Sequence, residues 1–372
     1  MKFLILDTDY PEFLCWLYTQ HPGLESQPYE HQMRVRYESL CGVADFYSSN
    51  LRKLGYEVLH IYANNEFMQK AWARENGLRL RGEGRWKFRM RRGIVPWVSR
   101  VQRGWFYDIL KAQIEHYKPD ILLNQTIDNI SSSFLKKMKP HARLLMGQHA
   151  APLPEGEDFS CYDLVVSSLP NLVKHFRRRG VSAEPHCLAF EPRVLQRLRD
   201  EEPKTPMTFA GSITLHHDGR IRLLEYLCRY LDLKIYGIGV DYLPKDSLIR
   251  QRYQGEAWGV DMYQILFNSK ITVNHHIGMA KSYANNMRLF EATGVGTLLV
   301  TDWKKNLHEM FDLGKEVVAY RTAEECAELI QYYLEHENER REIALAGQQR
   351  TLRDHTYHKR MQELVDIVQK YL

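Results

Sequence analysis

The sequence predicts an α/β protein with two Rossmann-like domains, each built on a parallel, doubly wound sheet, that face a common cleft. The chain has 372 residues, more than one ordinary domain core contains. Short aliphatic runs alternate with amphipathic segments in both halves, which is typical of strands joined by helices. A charged segment with two prolines, Arg199–Pro206, interrupts the alternation, and a new strand pattern follows it. We therefore expect domains at residues 1–200 and 207–354, with a closing segment at 355–372.

The N-terminal half opens with a βαβ pattern, in which a helix at Arg34–Leu54 joins strands at Lys2–Leu6 and Glu57–Ile61. Strands joined in this way run parallel in one sheet. The later patterns predict helices at Val101–Tyr117 and Asn171–Arg179, and strands at Asp120–Leu123, Arg143–Met146 and Leu164–Ser167.

The C-terminal half repeats this alternation, which predicts a second sheet of the same kind. Apolar residues at helical spacing in Thr356–Leu372 predict a final amphipathic helix that could strap the domains together. The predicted strands are Met207–Ala210, Leu233–Tyr236, Ile271–Asn274, Thr297–Val300 and Val317–Ala319, and the helices are Ile221–Tyr230, Asn286–Thr293 and Ala323–His336.

The composition excludes several classes of protein. A hydrophobic fraction of 44% and a charged fraction of 26% are typical of a globular protein. We expect a cytoplasmic protein, because no apolar run is long enough to span a bilayer and the N-terminus lacks a signal-peptide core. The six cysteines show no CxxC spacing, so we expect free thiols and neither a zinc knuckle nor a thioredoxin-like dithiol. We expect no cofactor.

The positive charge is concentrated in one segment. Between Arg79 and Arg103 lie nine Lys or Arg residues and one acid, Glu83, with several aromatic residues among them. Such a segment suits an anionic membrane at the inner face, an acidic or phosphorylated glycan, or RNA, and a solvated insertion is an equal alternative. Nucleic-acid binding ranks lowest because no RNA-binding motif accompanies the charge.

A strand that ends in glycine is the first candidate binding segment. In parallel sheets, ligands bind where strands end, and the free N–H groups at helix starts attract phosphate. Phe209–Ser212 is such a strand end, and Arg220 follows it closely. The backbone at Gly211 could approach a diphosphate, with Ser212 and Arg220 as donors. The alternative is an ordinary strand-to-helix turn capped by Asp218.

A helix start is the second candidate. Asn285 and Asn286 precede a helical pattern that contains Arg288 and Glu291. An asparagine cap with exposed amides could hold phosphate, and the Glu291 carboxylate could accept hydrogen bonds from two ribose hydroxyls. The alternative is an i,i+3 ion pair between Arg288 and Glu291 on a solvated helix face.

A second glycine-containing strand end, Tyr236–Gly239, is the third candidate. Its glycines could leave room for a flat ring against the backbone, so a nucleotide base could lie at Tyr236 and Gly237. A lone GxG pattern is also typical of a plain turn.

At these segments the chain resembles a known family. The stretch from Ser269 to about Arg360 is similar to the C-terminal domain of glycosyltransferases related to the spore maturation protein CgeB, and the N-terminal half is similar to their companion domain. The residues that carry the resemblance are Asn274, Asn286, Arg288, Glu291 and Gly294, with His355-Thr356-Tyr357 near the end.

The resemblance implies a GT-B fold and a nucleotide-diphosphate sugar donor, bound mainly by the second domain. Glu291 would be the ribose-binding glutamate, and a metal ion is usually dispensable in this fold. Arg288, Arg220 or Lys281 could then neutralise the departing diphosphate. Many retaining enzymes of this fold place another glutamate eight positions before the first, where this chain has Tyr283.

The first domain contributes candidate catalytic residues. His149 follows a predicted strand end, where related retaining enzymes carry a histidine that contacts the sugar; a structural loop histidine is the alternative. Asp7 and Asp9 form a DxD pattern after the first strand. Because no further metal ligand lies nearby in sequence, we interpret them as acceptor-side candidates for a general base.

We therefore expect a glycosyltransferase that moves a sugar from a nucleotide sugar to a glycan, lipid-linked or small-molecule acceptor. A non-catalytic binding or structural protein of the same fold is one alternative, because a fold does not determine an activity. A sugar-nucleotide epimerase, which needs no acceptor, is another.

Overall fold

The computed structural model describes residues 1–80, 89–91, 95–97, 104–154, 156–202, 204–214 and 217–372. These residues form two parallel six-stranded sheets with helices around them, which confirms the predicted α/β fold with two doubly wound sheets. The strands are β1 (Lys2–Asp7), β2 (Glu57–Tyr62), β3 (Arg89–Arg91), β4 (Val95–Trp97), β5 (Ile121–Asn124), β6 (Leu144–Gln148), β7 (Leu164–Ser167), β8 (Ala183–Pro185), β9 (Thr205–Ala210), β10 (Lys234–Tyr236), β11 (Tyr253–Gly255), β12 (Ser269–Asn274), β13 (Leu298–Asp302) and β14 (Val318–Tyr320).

Helices connect the strands and cover the sheets. They are α1 (Pro11–Gln20), α2 (Tyr29–Glu38), α3 (Phe46–Lys53), α4 (Glu66–Glu75), α5 (Gly104–Tyr117), α6 (Ser132–Met138), α7 (Pro170–Arg178), α8 (Asp218–Tyr230), α9 (Leu248–Gln251), α10 (Gly259–Phe267), α11 (Met287–Gly294), α12 (Leu307–Met310), α13 (Ala323–Glu335), α14 (Glu337–Asp354) and α15 (Tyr357–Gln369).

Both sheets have the same type of strand order. The first runs β2-β1-β5-β6-β7-β8 and the second β11-β10-β9-β12-β13-β14. In each, the chain builds outward on one side of its first strand and then crosses to the other side. The topological switch points therefore lie between β1 and β5 and between β9 and β12, and ligands of doubly wound sheets bind beyond the carboxyl ends of such strands.

The central strands are apolar because helices cover both faces of each sheet. All four residues of β5 and of β7 are buried. Leu6 on β1 pairs in parallel register with Ile61 on β2 and with Asn124 on β5. Strands buried on both faces appear in sequence as continuous hydrophobic runs, which is why their positions could be predicted.

The helix predicted at Arg34–Leu54 is wrong in one respect: it is two helices, α2 and α3. Between them Leu40, Gly42 and Ala44 have positive φ angles of 53°, 59° and 37°. Left-handed backbone cannot continue a right-handed helix, so the chain turns there. The amphipathic period continues across this turn, which explains the prediction.

The last helix packs against the first half of the chain. The Phe190 N–H donates to the His355 carbonyl (2.9 Å), and the Tyr357 N–H donates to the Phe190 carbonyl (3.0 Å). The Tyr357 ring lies 5.2 Å from the Phe46 ring and 5.6 Å from the Tyr47 ring, both on α3. The helix α15 therefore contacts residues before Arg199, while its role as a strap and the domain limits stay predictions.

In the part of the chain that the structure describes, no helix is both long enough and apolar enough to cross a bilayer.

Candidate active site

A cleft of about 880 Å³ lies between the carboxyl ends of the two sheets. Residues that follow β1, β5 and β6 line it from one domain, and residues that follow β9, β10 and β12 line it from the other. All the candidate residues except Lys281 and Asn285 line this cleft: Asp7, Asp9, His149, Gly211, Ser212, Arg220, Tyr236, Gly237, Asn286, Arg288 and Glu291.

Arg220 is a buried cation of the second domain, with only 9% of its surface exposed. Its guanidinium donates to the carbonyl of Ser212 (2.6 Å) and to the carbonyl of His275 (2.7 Å). Among the described residues no carboxylate forms an ion pair with it. Burial, followed by the neighbouring positive charge of Arg288, lowers the pKa of Arg220 to about 10. The guanidinium is therefore still a cation at neutral pH, and its two hydrogen bonds fix its position.

Arg288 and Glu291 form the i,i+3 ion pair considered from the sequence, with the Arg288 Nη1 and Glu291 Oε2 atoms 2.9 Å apart. The pair lines the cleft and its side chains are largely buried, so it is not on a solvated helix face. Arg288 also donates to the carbonyl of Ala210 at the end of β9 (3.1 Å). This contact holds the start of α11 against the carboxyl end of β9.

Asn286 caps α11, as its position predicts. Its side-chain oxygen accepts a hydrogen bond from the Leu289 N–H (3.3 Å), and its amide donates to Asn274 at the end of β12 (2.9 Å). Asn274 donates in turn to the hydroxyl of Thr301 (2.9 Å). The cap and its neighbours therefore place the N-terminus of α11 at the switch point of the second sheet.

The glycines after β10 lie in close contact with the neighbouring loop. Gly237 has a φ of 135°, and a Cβ atom there would lie 2.0 Å from the carbonyl oxygen of Gly211. At Gly239 a Cβ would lie 1.9 Å from the carbonyl oxygen of Ile213. These two glycines therefore allow the loops after β9 and β10 to approach each other closely, and the assignment of a base to Tyr236 and Gly237 stays a prediction. Tyr236 and Gly237 still line the cleft beside that loop.

Lys281 and Asn285 lie outside the cleft. Lys281 is exposed, and its carbonyl accepts a hydrogen bond from Lys304 (2.8 Å). Asn285 is buried, and its side-chain oxygen accepts from the Leu188 N–H (3.1 Å), so it joins the two halves of the chain. Tyr283 also lies outside the cleft, with its ring 4.1 Å from the Lys305 ammonium.

The two aspartates of the first domain have different surroundings. Asp9 is buried and paired with Arg36, whose Nη2 lies 2.6 Å from one carboxylate oxygen and whose Nε donates to both at 3.0 Å. The guanidinium of Arg36 lies between the rings of Phe13 and Tyr62. Because the ion pair with Arg36 uses both of its carboxylate oxygens, Asp9 has a structural role in the loop.

Asp7 is partly exposed and forms no such pair. One carboxylate oxygen accepts from the Thr8 N–H (2.7 Å), and the other lies 3.9 Å from Nε2 of the buried His60. Burial, followed by the charge of Asp9, raises the pKa of Asp7 to about 7. Burial lowers the pKa of His60 to about 3, so this imidazole is neutral. Asp7 is thus a carboxyl group that can take up and release a proton near neutral pH.

His149 is buried at the cleft wall after β6. Its Nε2 lies 3.3 Å from the Pro152 carbonyl, to which it donates. Burial lowers the pKa of His149, while the charge of the nearby Asp128 opposes this shift. The imidazole is therefore neutral and oriented by the loop backbone. Asp128, an exposed cleft residue, carries no sequence signal that could have identified it.

Aromatic residues from both domains meet at one end of the cleft. The ring of Trp258 lies 5.7 Å from that of Phe13 and 6.2 Å from that of Tyr10. Just beyond it, the Val260 N–H donates to the Ser39 carbonyl of the other domain (3.0 Å). This wall could not be identified from the sequence, because its residues come from distant segments without a common motif.

The basic segment Arg79–Arg103 falls mostly outside the described residues. Within it, the structure describes Arg79, Leu80 and the backbone of the hairpin formed by β3 and β4. The expected membrane, acceptor or RNA contact of this segment therefore stays a prediction.

The chemistry of the cleft is divided between the domains. The second domain contributes two arginines, Arg220 and Arg288, and one carboxylate, Glu291. These three residues give it a net positive charge near a capped helix start. The first contributes a carboxyl that titrates near neutral pH and a neutral imidazole. Such a cleft can bind an anionic ligand on one side and accept a proton on the other.

Comparisons with known proteins concern the family and the fold. A family model described as "Glycosyl transferase-like" matches residues 220–366. A comparison with curated proteins found no match.

Among solved structures, HepE of Anabaena in complex with UDP and glucose is similar with a TM-score of 0.61, at 12% identity over 100% of both chains. A glycosyltransferase from Rickettsia africae has a TM-score of 0.59, at 11% identity over 100% of this chain and 98% of the other. Sucrose-phosphate synthase from Thermosynechococcus elongatus has a TM-score of 0.57, at 10% identity over the same shares.

At these identities the likeness shows a shared fold, and the family match supports the expected glycosyltransferase enzyme. Residues 220–366 thus match a glycosyl transferase-like family model, and the chain as a whole shares the GT-B fold of glycosyltransferases.

Proposed function

We propose that this protein transfers a sugar from a nucleoside-diphosphate sugar, bound by the second domain, to an acceptor hydroxyl presented by the first. The observation that carries the proposal is the buried Arg220, which lines the cleft and pairs with no described carboxylate. A buried charge without a counterion costs free energy, and an anionic ligand would offset that cost.

The donor is assigned to the second domain. Its diphosphate would lie between Arg220 and the start of α11, because both line the cleft and a helix start offers free N–H groups. Its ribose would reach Glu291, and its base would lie beside Tyr236. Because the similar HepE was solved with UDP and glucose, a uridine-diphosphate sugar is the first donor to test.

Leaving-group stabilisation is the main catalytic contribution in this proposal. When the bond between the sugar carbon and the diphosphate oxygen breaks, Arg220 and Arg288 would neutralise the negative charge that develops there. Two fixed cations could perform this task without a metal ion, so we keep metal independence as a proposal. Turnover that persists after treatment with EDTA would support it.

Two residues of the first domain are assigned to the acceptor. Asp7 would accept the proton of the attacking hydroxyl, since its pKa near 7 leaves a large fraction ionised at neutral pH. His149 would position the sugar or the acceptor by hydrogen bonding. Asp9 is not assigned a role in proton transfer, because Arg36 holds both of its oxygens.

We also propose that the chain belongs to the glycosyltransferases related to CgeB, on the motif of Asn286, Arg288 and Glu291, whose side chains meet at the cleft. A cytoplasmic location, with peripheral attachment to an anionic membrane through residues 79–103, remains part of the proposal.

The proposed function can be tested with a panel of UDP, GDP, dTDP and CMP sugars, with binding followed by thermal shift and products by mass spectrometry. A ligand that binds only the folded state raises its stability. We expect one donor to bind and to be hydrolysed slowly or transferred. Binding without any product would indicate a binding protein, and an isomeric sugar nucleotide formed from the donor alone would indicate an epimerase.

A further inference from the structure

The acceptor side of the cleft is acidic where the donor side is basic. The residues that line it from the first domain include the carboxylates of Asp7, Asp9 and Asp128. Among the described residues that line the cleft from this domain, Arg36 is the one cation, and Asp9 neutralises it. His149 adds no positive charge because burial lowers its pKa. The described residues therefore leave a net negative charge where an acceptor would enter.

The neutral polar side chains of this wall largely contact one another. Asn64 accepts a hydrogen bond from the Asp9 N–H (2.8 Å) and donates to the Asp9 carbonyl (2.7 Å). The hydroxyls of Thr8 and Thr126 lie 2.8 Å apart. Asp128, in contrast, is exposed and forms no hydrogen bond or ion pair with a described residue. Carboxylates, which accept hydrogen bonds from hydroxyl groups, are thus the groups left for a ligand.

An exposed aromatic ring completes this wall. Tyr10 is 60% exposed although it lines the cleft, and its ring lies 6.2 Å from that of the buried Trp258. A flat apolar surface beside hydrogen-bond acceptors suits a ring with apolar C–H faces and hydroxyl edges.

From this arrangement we infer that the acceptor is an uncharged, hydroxyl-rich saccharide, which stacks on Tyr10 and is held by Asp7 and Asp128, and that phosphorylated sugars are rejected. The inference rests on the proposed function, and it names the acceptor class of the same site. Rejection follows from charge, because a phosphate placed beside unpaired carboxylates in a confined cleft is repelled.

The test uses matched acceptor pairs: glucose, fructose and mannose against their 6-phosphates, with release of the nucleotide from the bound donor as the readout. We expect kcat/KM for the uncharged member of at least one pair to exceed that of its phosphate by about tenfold or more. Asp128→Lys should lower this ratio of kcat/KM values by about tenfold, since it replaces a charge that repels the phosphate with one that attracts it. Asp366→Lys, the same charge change on an exposed residue of α15, should leave the ratio of kcat/KM values unchanged.

Tyr10→Ala should raise KM for the saccharide several-fold without changing KM for the donor, and Tyr10→Phe should retain the wild-type KM. The inference would be overturned if kcat/KM for the sugar phosphates equalled or exceeded that for the uncharged sugars. It would also be overturned if Asp128→Lys left the ratio of these kcat/KM values unchanged. An enzyme that hydrolyses its donor but uses no uncharged saccharide would also overturn it. A protein that binds no donor would instead contradict the proposed function.

Discussion

Glu291 illustrates how the surroundings of a residue change the meaning of a sequence pattern. An exposed i,i+3 pair contributes a few tenths of a kcal/mol to helix stability. The same pair at the wall of a cleft fixes the position of the carboxylate, because Arg288 is itself held by the carbonyl at the end of β9. The spacing alone could not distinguish the two cases, since it does not show which face of α11 is covered.

Glu291→Gln should weaken UDP binding by about 1.5–3 kcal/mol, because a neutral amide is a weaker acceptor for ribose hydroxyls. Calorimetric titration with UDP and with 2′-deoxy-UDP measures this. The loss should be smaller for the deoxy ligand, which lacks one hydroxyl. Glu328→Gln, an exposed change on α13, is the matched control. Equal losses for both ligands would remove Glu291 from the ribose site.

Asp7 should make stability depend on pH. Its pKa is raised in the folded state from 3.8 to about 7, so the folded protein binds the proton more tightly than the unfolded chain does. This contribution is fully present below pH 4 and is lost as the pH rises through 7. Asp7→Asn should therefore raise the unfolding free energy at pH 8 by about 1–3 kcal/mol relative to wild type.

Denaturant unfolding of both proteins at pH 5 and pH 8 tests this prediction. The stabilising effect of Asp7→Asn should be clearly larger at pH 8 than at pH 5. Asp163→Asn, which removes a partly exposed carboxylate paired with Lys139, should not reproduce this difference. A variant equally stable relative to wild type at both pH values would show that the Asp7 pKa is not raised.

At the scale of elements, the loops after β9 and β10 lie so close together that a residue with a Cβ atom does not fit at Gly237. Gly237 and Gly255 both have positive φ, 135° and 116°, but a Cβ atom meets backbone only at Gly237. Alanine at Gly255 carries the cost of the unfavourable φ alone, about 1–2 kcal/mol. Alanine at Gly237 should cost more and should also weaken UDP binding, because the loop from Gly211 to Ser212 must move.

Urea unfolding of the two alanine variants, with UDP titration of each, measures this difference. Similar unfolding free energies for Gly237→Ala and Gly255→Ala would show that the close approach of the loops is not a constraint.

Elements could be predicted where a local physical rule determines them, and the failures had two causes. Buried parallel strands such as β7 appear as short aliphatic runs, and their limits were predicted closely. The turn at Leu40 to Ala44 was missed because left-handed backbone at non-glycine residues leaves no signal in hydrophobic periodicity. Trp258 and Asp128 were missed because only the folded chain brings them to the cleft.

At the scale of the whole molecule, α15 links the end of the chain to the first domain through Tyr357. Tyr357→Ala should lower the unfolding free energy by about 3–5 kcal/mol, since it removes a fully buried ring packed on Phe46 and Tyr47. Tyr357→Phe should be neutral or stabilising, because the Tyr357 hydroxyl is buried without a described hydrogen-bond partner. Calorimetric unfolding compares the variants.

Loss of the ring should also separate the unfolding of the two halves into distinct transitions. If Tyr357→Phe destabilises as much as Tyr357→Ala, the hydroxyl rather than the ring holds α15 in place.

The central claim is that the buried cation of the second domain binds the diphosphate of a sugar nucleotide. Calorimetric titration of UDP, or of whichever nucleoside diphosphate binds best, into wild type, Arg220→Gln and Arg222→Gln tests it most directly. Arg222 lies on the same helix but is exposed, so it controls for the change in net charge. We predict a loss of about tenfold to a hundredfold in affinity for Arg220→Gln, the size expected for charge-assisted hydrogen bonds, and no change for Arg222→Gln. Equal affinity of a correctly folded Arg220→Gln protein and wild type would contradict the account.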